Sequence, residues 1–466
     1  MSFHTQSATQ ILDDLVSRRL SAEELMRATL DRIEAVNGPL NAIISMRDAD
    51  ELMQEARAAD QSPSGGALAG LPFAVKDTVE VSGMRSTMGS PIFADRIPEQ
   101  DDLVAARMRA AGAIFIGKTN VPEFGLGSHT FNPVFGRTRN PYDTTRSAGG
   151  SSGGACVALA TGMVALADGS DIMGSLRNPA AWNNVYGFRP TWSRVPLDGE
   201  GDTFQSQLMT VGPMARSPQD LAILLDVMSG PNPQVPFNLP FEAISPLVPA
   251  DPRGMRIGWL GDWGGAFAME AGILDNAAVG LGVLEDLGCI VEPVAPPFPA
   301  EQLWDSWVTL RAAANAARLN PVIGQSSLMK DAAIWEYEQG IGLSALDVHR
   351  ASVIRSGWFS AAATLFQSYD ALVLPSAQVW PFDAELDWPT EIAGRAMDTY
   401  HRWMEVVIPA SILGLPTLAV PAGFSAEGLP MGIQITGARG ADRAILELGA
   451  AYHEATQWPQ RRPPQI

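Results

Sequence analysis

Two serines set in glycine are the chain's clearest chemical feature. Ser151 lies in Gly149-Gly150-Ser151-Ser152-Gly153-Gly154, and Ser175 lies in Gly169-Ser170-Asp171-Ile172-Met173-Gly174-Ser175-Leu176-Arg177-Asn178-Pro179-Ala180. Glycine beside serine permits a sharp turn and lets peptide N–H groups approach a substrate atom. A serine hydroxyl attacks well only when a base takes its proton. The five histidines, His4, His129, His349, His401 and His453, all fall outside the glycine-rich turns, and only three lysines exist, Lys76, Lys118 and Lys330. Lys76 ends the apolar run Leu71-Pro72-Phe73-Ala74-Val75, which predicts burial. A buried lysine without a counter-charge loses its proton more easily and can accept one near pH 7. Lys76, Ser151 and Ser175 together would make a proton relay. The plainer alternative, tight turns with helix N-caps, suits Ser152. For Ser151 and Ser175, the coincidence of one lysine with two glycine-framed serines favours chemistry. Lys118 also follows an apolar run and is read as structural.

These motifs resemble the defining run of the amidase signature family of serine hydrolases, and the separation of Lys76 from Ser151 fits that family too. The similarity extends from about Ser21 to Gly414-Leu415-Pro416 and Gly428-Leu429-Pro430-Met431-Gly432. The resemblance implies that Ser175 is the nucleophile, that Ser151 follows a cis peptide bond and bridges, and that Lys76 is the base. It also implies an oxyanion hole from the N–H groups of Ile172, Met173, Gly174 and Ser175. Met173 stands where the family usually has glycine, so a side chain there could narrow the pocket or tilt the turn. Ser152, Ser170, Asp171 and Arg177 are expected to support the site, although Asp171 and Arg177 fit a buried structural pair equally well. Gly125, in a loop that approaches the substrate in the family, and Ser151 are expected at the substrate. His129, in the same loop, is expected to have a surface or hydrogen-bonded role. No metal and no cofactor is implied.

The run from Asp171 to Pro190 looks most like bacterial aryl acylamidases and carbamate-cleaving amidases. Met84, Met88, Met173 and the tryptophans suit a flat aromatic anilide or aryl carbamate. The expected reaction is hydrolysis of that C–N bond, with esterase side activity. The family also includes the glutaminase-type subunit of tRNA-dependent amidotransferases, which needs an acidic side chain for glutamine's ammonium. The matching position is Met404, whose thioether cannot serve, although Glu405 beside it could compensate.

The elements that must position these residues are partly legible. With 466 residues, 46% of them hydrophobic, the chain can bury a sizeable core. A formal charge of −19 argues against nucleic acid or an anionic membrane as partner, and a small molecule remains, with a homodimer admitted. Cys156 and Cys289 cannot make a disulfide framework or a metal site. The first residues lack a secretory pattern, and a cytoplasmic location is expected.

Ser21 and Glu24 form a capping box opening a helix through about Ala35, preceded by an amphipathic helix carrying Ile11, Leu12, Leu15 and Leu20 and followed by one over 48–59. Residues 61–66 read as a loop. Strands over 71–75, 113–116 and 164–167 alternate with helices over 101–111 and 153–160, and Ser217 caps a helix through Met228. Residues 231–252 read as a surface connection. Later strands are expected over 255–260, 289–294, 371–374, 417–420 and 431–435, with a helix over 272–287. The fold class is α/β: one large domain over 1–466, a central mixed sheet with helices on both faces, and ligands at the strands' carboxyl ends. The family-like core spans about 65–230. Residues 301–389 resemble the family least and carry Trp304, Trp307, Trp335, Trp358, Trp380 and Trp388, either as core or as an apolar cap lining the pocket.

Overall fold

A computed structural model describes residues 3–61, 65–198, 202–204 and 207–466. Eleven strands make one mixed sheet: β1 (Ile43–Ile44), β2 (Pro72–Lys76), β3 (Ile114–Thr119), β4 (Leu166–Asp171), β5 (Tyr186–Arg189), β6 (Thr210–Ala215), β7 (Arg256–Trp259), β8 (Ile290–Pro293), β9 (Ala371–Pro375), β10 (Thr417–Phe424) and β11 (Pro430–Thr436). Their spatial order is β1-β3-β2-β4-β6-β5-β10-β11-β9-β7-β8. β3, β2 and β4 run parallel, as do β9, β7 and β8, while the strands between them pair antiparallel. The expected mixed sheet is therefore present.

Helices cover both faces. The first three are α1 (Ala8–Val16), α2 (Ala22–Leu40) and α3 (Ala49–Gln61). Ser21 closes the expected box with Glu24, but α2 runs on to Leu40 and ends only where Asn41 turns left-handed at φ 51°. Next come α4 (Leu103–Ala110), α5 (Gly153–Ala160), α6 (Asn178–Trp182) and α7 (Pro218–Met228). Ser217 caps α7, accepting from the Asp220 N–H, and Pro218 takes the first turn, where its missing donor costs nothing. α8 (Ile273–Asp286) crosses between β7 and β8. Leu221 and Leu225 of α7 and Leu281 and Leu284 of α8 share one apolar cluster with Val420, Ile433 and Ile435 of the sheet.

The expected strand over 164–167 begins and ends later, at Leu166 and Asp171, because the preceding turn through Gly162 occupies the start of the apolar run. β6 was not expected: Gly212 and Pro213 inside it argue against a strand on composition, and ladder pairing on both sides overrides them. Residues 231–252 form no helix or strand, as expected of a connection. Of the loop read at 61–66, Ser62, Pro63 and Ser64 lie outside the described residues.

The tryptophan-rich segment folds into α9 (Ala300–Leu319), α10 (Asp331–Ile341) and α11 (Ala345–Leu365), followed later by the short α12 (Ile408–Ser411) and by α13 (Asp442–Thr456). Ser344 opens α11 with a capping box to Asp347. Trp304, Trp307 and Trp358 join Trp182, Trp263 and Trp403 in a second apolar cluster. Among the described residues, no helix is long and apolar enough to cross a membrane.

Candidate active site

Lys76 is the last residue of β2, flanked in the sheet by β3 and β4, and is fully buried. Its Nζ donates to Ser151 Oγ at 3.0 Å, Ser152 Oγ at 2.8 Å and Ser170 Oγ at 3.0 Å, with the Ser170 carbonyl at 3.4 Å. No carboxylate pairs with it among the described residues. Burial pulls its pKa from 10.5 to about 8, against the opposing influence of Asp168, Asp171 and Cys156. The amine is therefore poised to gain or lose a proton close to neutrality.

The peptide between Gly150 and Ser151 is cis. Around it, the Ser128 hydroxyl donates to the Gly150 carbonyl at 2.7 Å, and the Thr130 N–H and hydroxyl both donate to the Gly149 carbonyl. Gly149 has φ 75°, and a Cβ there would lie 2.9 Å from Pro179 Cα, so no side chain fits. Ser152 stands at the N-cap of α5 without capping it, because its hydroxyl accepts from Lys76 instead.

Ser175 follows a turn held from below. Asp171 Oδ1 accepts from the Gly174 N–H at 2.9 Å, and Oδ2 accepts from the Leu176 N–H at 3.1 Å. Arg177 forks onto both oxygens at 2.9 and 3.0 Å, and Arg189 reaches Oδ1 at 3.1 Å. All three side chains are fully buried. Burial alone would raise the Asp171 pKa, but the two guanidiniums hold the carboxyl well below its usual range. Asp171 and Arg177 are thus a buried pair and also the support of the serine turn.

The N–H groups of the expected oxyanion set differ in their partners. Gly174 already donates to Asp171, so the N–H groups without a partner among the described residues are those of Ile172, Met173 and Ser175. The positive φ of the turn, 84°, falls on Gly174, and Met173 beside it lines the cavity. A Cβ on Gly174 would stand 2.1 Å from Asn178 Oδ1.

Ser151, Ser170, Ile172, Met173 and Ser175 open on one cavity of about 1240 Å³. Gly125, Met88, Phe124 and Met404 line it too, whereas Met84 is buried in the core. α9 and α11 form its outer wall through Leu310, Arg311, Ala314, Val348 and Ser352. None of the six tryptophans between 301 and 389 lines this cavity; Trp192 does. Trp304 and Trp307 are on α9 but turn into the core, leaving Leu310, Arg311, Asn315, Arg318 and three alanines toward the cavity. Their identity as aromatics held no information on which side of α9 they would occupy.

His129 is buried off the cavity, its Nε2 facing the Ala384 carbonyl at 2.9 Å and its Nδ1 facing Ser147 Oγ at 2.7 Å. Lys118 Nζ donates to the Val79 carbonyl. Glu405 is buried in an ion pair with Arg402 at 3.1 Å and does not line the cavity, so it does not stand in for Met404. Sequence reasoning missed Asp168, whose Oδ1 accepts from the Lys76 N–H at 2.9 Å. A lone aspartate after Ala165-Leu166-Ala167 was the available signal.

The Amidase family model matches residues 24–446. An acylamidase from Rhodococcus erythropolis is 32% identical, with 99% of this chain and 98% of that protein covered. A glutamyl-tRNA(Gln) amidotransferase subunit from Moorella thermoacetica is also 32% identical, over 99% of each chain. The crystal structure of a bacterial aryl acylamidase of the amidase signature family superposes with a TM-score of 0.91 at 29% identity, covering 99% of this chain and all of that one. Glycine-framed serines on one cavity, with a buried lysine bonded to one of them from behind, within a fold and sequence shared end to end with these proteins, lead to one conclusion: the chain belongs to the amidase signature family and is an enzyme that acts on amides.

Proposed function

We propose that the chain hydrolyses the C–N bond of an aryl amide or aryl carbamate through an acyl-enzyme on Ser175. The observation that carries this is the environment of Lys76 Nζ, buried and bonded only to hydroxyls and a carbonyl beside the cavity that holds Ser151 and Ser175. Ser175 Oγ attacks the carbonyl carbon while its proton passes to Ser151 and the Ser151 proton passes to the neutral Lys76 amine. The N–H groups of Ile172, Met173 and Ser175 receive the developing oxyanion. The relay then runs backward, the leaving nitrogen takes the proton and the C–N bond breaks. Amides need this return step because an unprotonated amine leaves poorly. Water repeats the attack on the ester and frees the acid. Esters are expected as side substrates, since they acylate Ser175 without that demand.

The apolar lining by Met88, Phe124, Met173, Trp192 and Met404 supports an aromatic substrate, as does likeness to the two acylamidases. A second reading, the glutaminase-type component of an amidotransferase, is favoured by the equal identity of the Moorella thermoacetica protein. Met404 counts against it, because a thioether offers an ammonium no counter-charge. The purified chain alone should release p-nitroaniline from p-nitroacetanilide, and Ser175→Ala should abolish both release and the acyl-enzyme mass adduct. Ammonia from glutamine, formed only with added partner subunits, would reverse the choice.

A further inference from the structure

A buried carboxylate in the middle of the sheet has no part in the relay. Asp168 of β4 is fully buried, its Oδ1 accepting from the Lys76 N–H at 2.9 Å and its Oδ2 without a partner among the described residues. β2 and β4 run parallel with Ala74 beside Ala167, and Val75 pairs with Lys118 on β3. One step along, Asp168, Val75 and Lys118 form a row across three strands. The carboxylate and the second buried lysine therefore share one side of the sheet. Burial disfavours the charged form of this carboxyl, and the Lys76 N–H favours it.

Resting on the assignment of Lys76 as base, we propose that Asp168 is its positioning residue. Its carboxylate holds the end of β2 by the Lys76 N–H and sets the pH at which the Lys76 amine takes its proton. The other groups around that amine are accounted for. Asp171, from the end of β4, is neutralised by Arg177 and Arg189. Cys156 of α5 stays a thiol, since burial pushes its pKa up. Asp77, just past β2, accepts from Thr87 and acts on Lys118. Lys118 of β3 donates to a carbonyl and shares the field of Asp168. Asp168 is the strongest anionic influence on Lys76, ahead of Asp171. Burial raises the pKa of Asp168 itself, while the Lys76 N–H and both lysines oppose that rise.

Because the chain has only three lysines, labelling lysine Cε with carbon-13 gives three resonances that can be titrated in the intact protein. In Asp168→Asn, which keeps an acceptor for the N–H, the Lys76 midpoint and the acid limb of kcat/KM on p-nitroacetanilide should both fall by about one pH unit. Asp168→Glu, which keeps the charge, should hold that midpoint near its wild-type value. Circular dichroism and thermal melts select whichever variants are folded. An unmoved midpoint in folded Asp168→Asn, an equal fall in Asp168→Glu, or a wild-type Asp168 that stays protonated in labelled-carboxyl titrations, overturns the proposal. The two assignments fail separately. Full activity of Lys76→Ala at neutral pH removes the base itself, whereas an inactive Lys76→Ala with an unmoved Asp168→Asn removes only the role of Asp168.

Discussion

The Gly174 N–H donates to Asp171 Oδ1 at 2.9 Å, which ties the turn carrying Ser175 to the end of the strand before it. The same carboxylate carries Arg177 and Arg189, and Arg177 reaches on to the Val407 carbonyl and Gln434 Oε1. The serine turn is thereby fixed to the antiparallel half of the sheet, which neither glycine nor serine could achieve alone.

Asp171→Asn should cost about 3–5 kcal/mol of stability, because it leaves two guanidiniums buried without their anion. Urea denaturation monitored by tryptophan fluorescence checks this. A change smaller than about 1 kcal/mol would mean that the network is dispensable for the fold, within the usual range of a surface pair.

The base sets the pH dependence. With the Lys76 pKa pulled down to about 8 by burial, the amine is mostly protonated at pH 6 and mostly free at pH 9.5, so kcat/KM should rise through about 8 and then level. Lys76→Ala should lose roughly 10²–10⁴-fold at neutral pH and keep a residual rate that climbs with hydroxide. A flat wild-type profile from pH 6 to 9.5 would exclude Lys76 as the titrating group.

How much was legible follows from what local sequence controls. The glycine frames of Ser151 and Ser175, the Ser21 and Ser217 caps and the apolar run before Lys76 act through neighbouring backbone, and each appears where its spacing put it. The bond from the Gly174 N–H to Asp171 was not legible because that carboxylate is held in place by two buried arginines, one of them distant in sequence. The tryptophans of α9 could not be assigned to core or cavity, since that depends on which side of the helix meets α10, α11 and α12. Asp168 escaped because its importance depends on β2 and β4 being neighbours.

Met404 tests the choice of substrate. It lines the cavity and is 1% exposed within the apolar cluster. Met404→Leu conserves volume and should leave kcat/KM for p-nitroacetanilide within about tenfold, as volume-conserving core swaps usually cost under about 1.5 kcal/mol. Met404→Asp places a carboxylate on that wall and should cost roughly 1–3 kcal/mol of binding, read as a raised KM. Improved anilide turnover in Met404→Asp would contradict an aromatic group at this wall.

Lys330 bears on substrate binding from outside the relay. It stands just before α10, its N–H donating to Glu123 Oε2 at 2.8 Å and its Nζ to the Leu126 carbonyl at 2.6 Å. Leu126 separates Gly125 and Gly127, both on the cavity, so one side chain from the outer helices pins the loop that faces the substrate. A hydrogen bond from a charged donor contributes about 1.5–3 kcal/mol, and losing it frees two glycines to sample other conformations. Lys330→Met should therefore raise KM by roughly tenfold, one decade for each 1.4 kcal/mol, while kcat changes less. Chemistry at Ser175 stays intact, so its phosphonylation by a small fluorophosphonate, with loss of fluoride, should keep the wild-type rate. Loss of that labelling together with kcat would show that the helix start supports the serines themselves, and that the loop does not act alone.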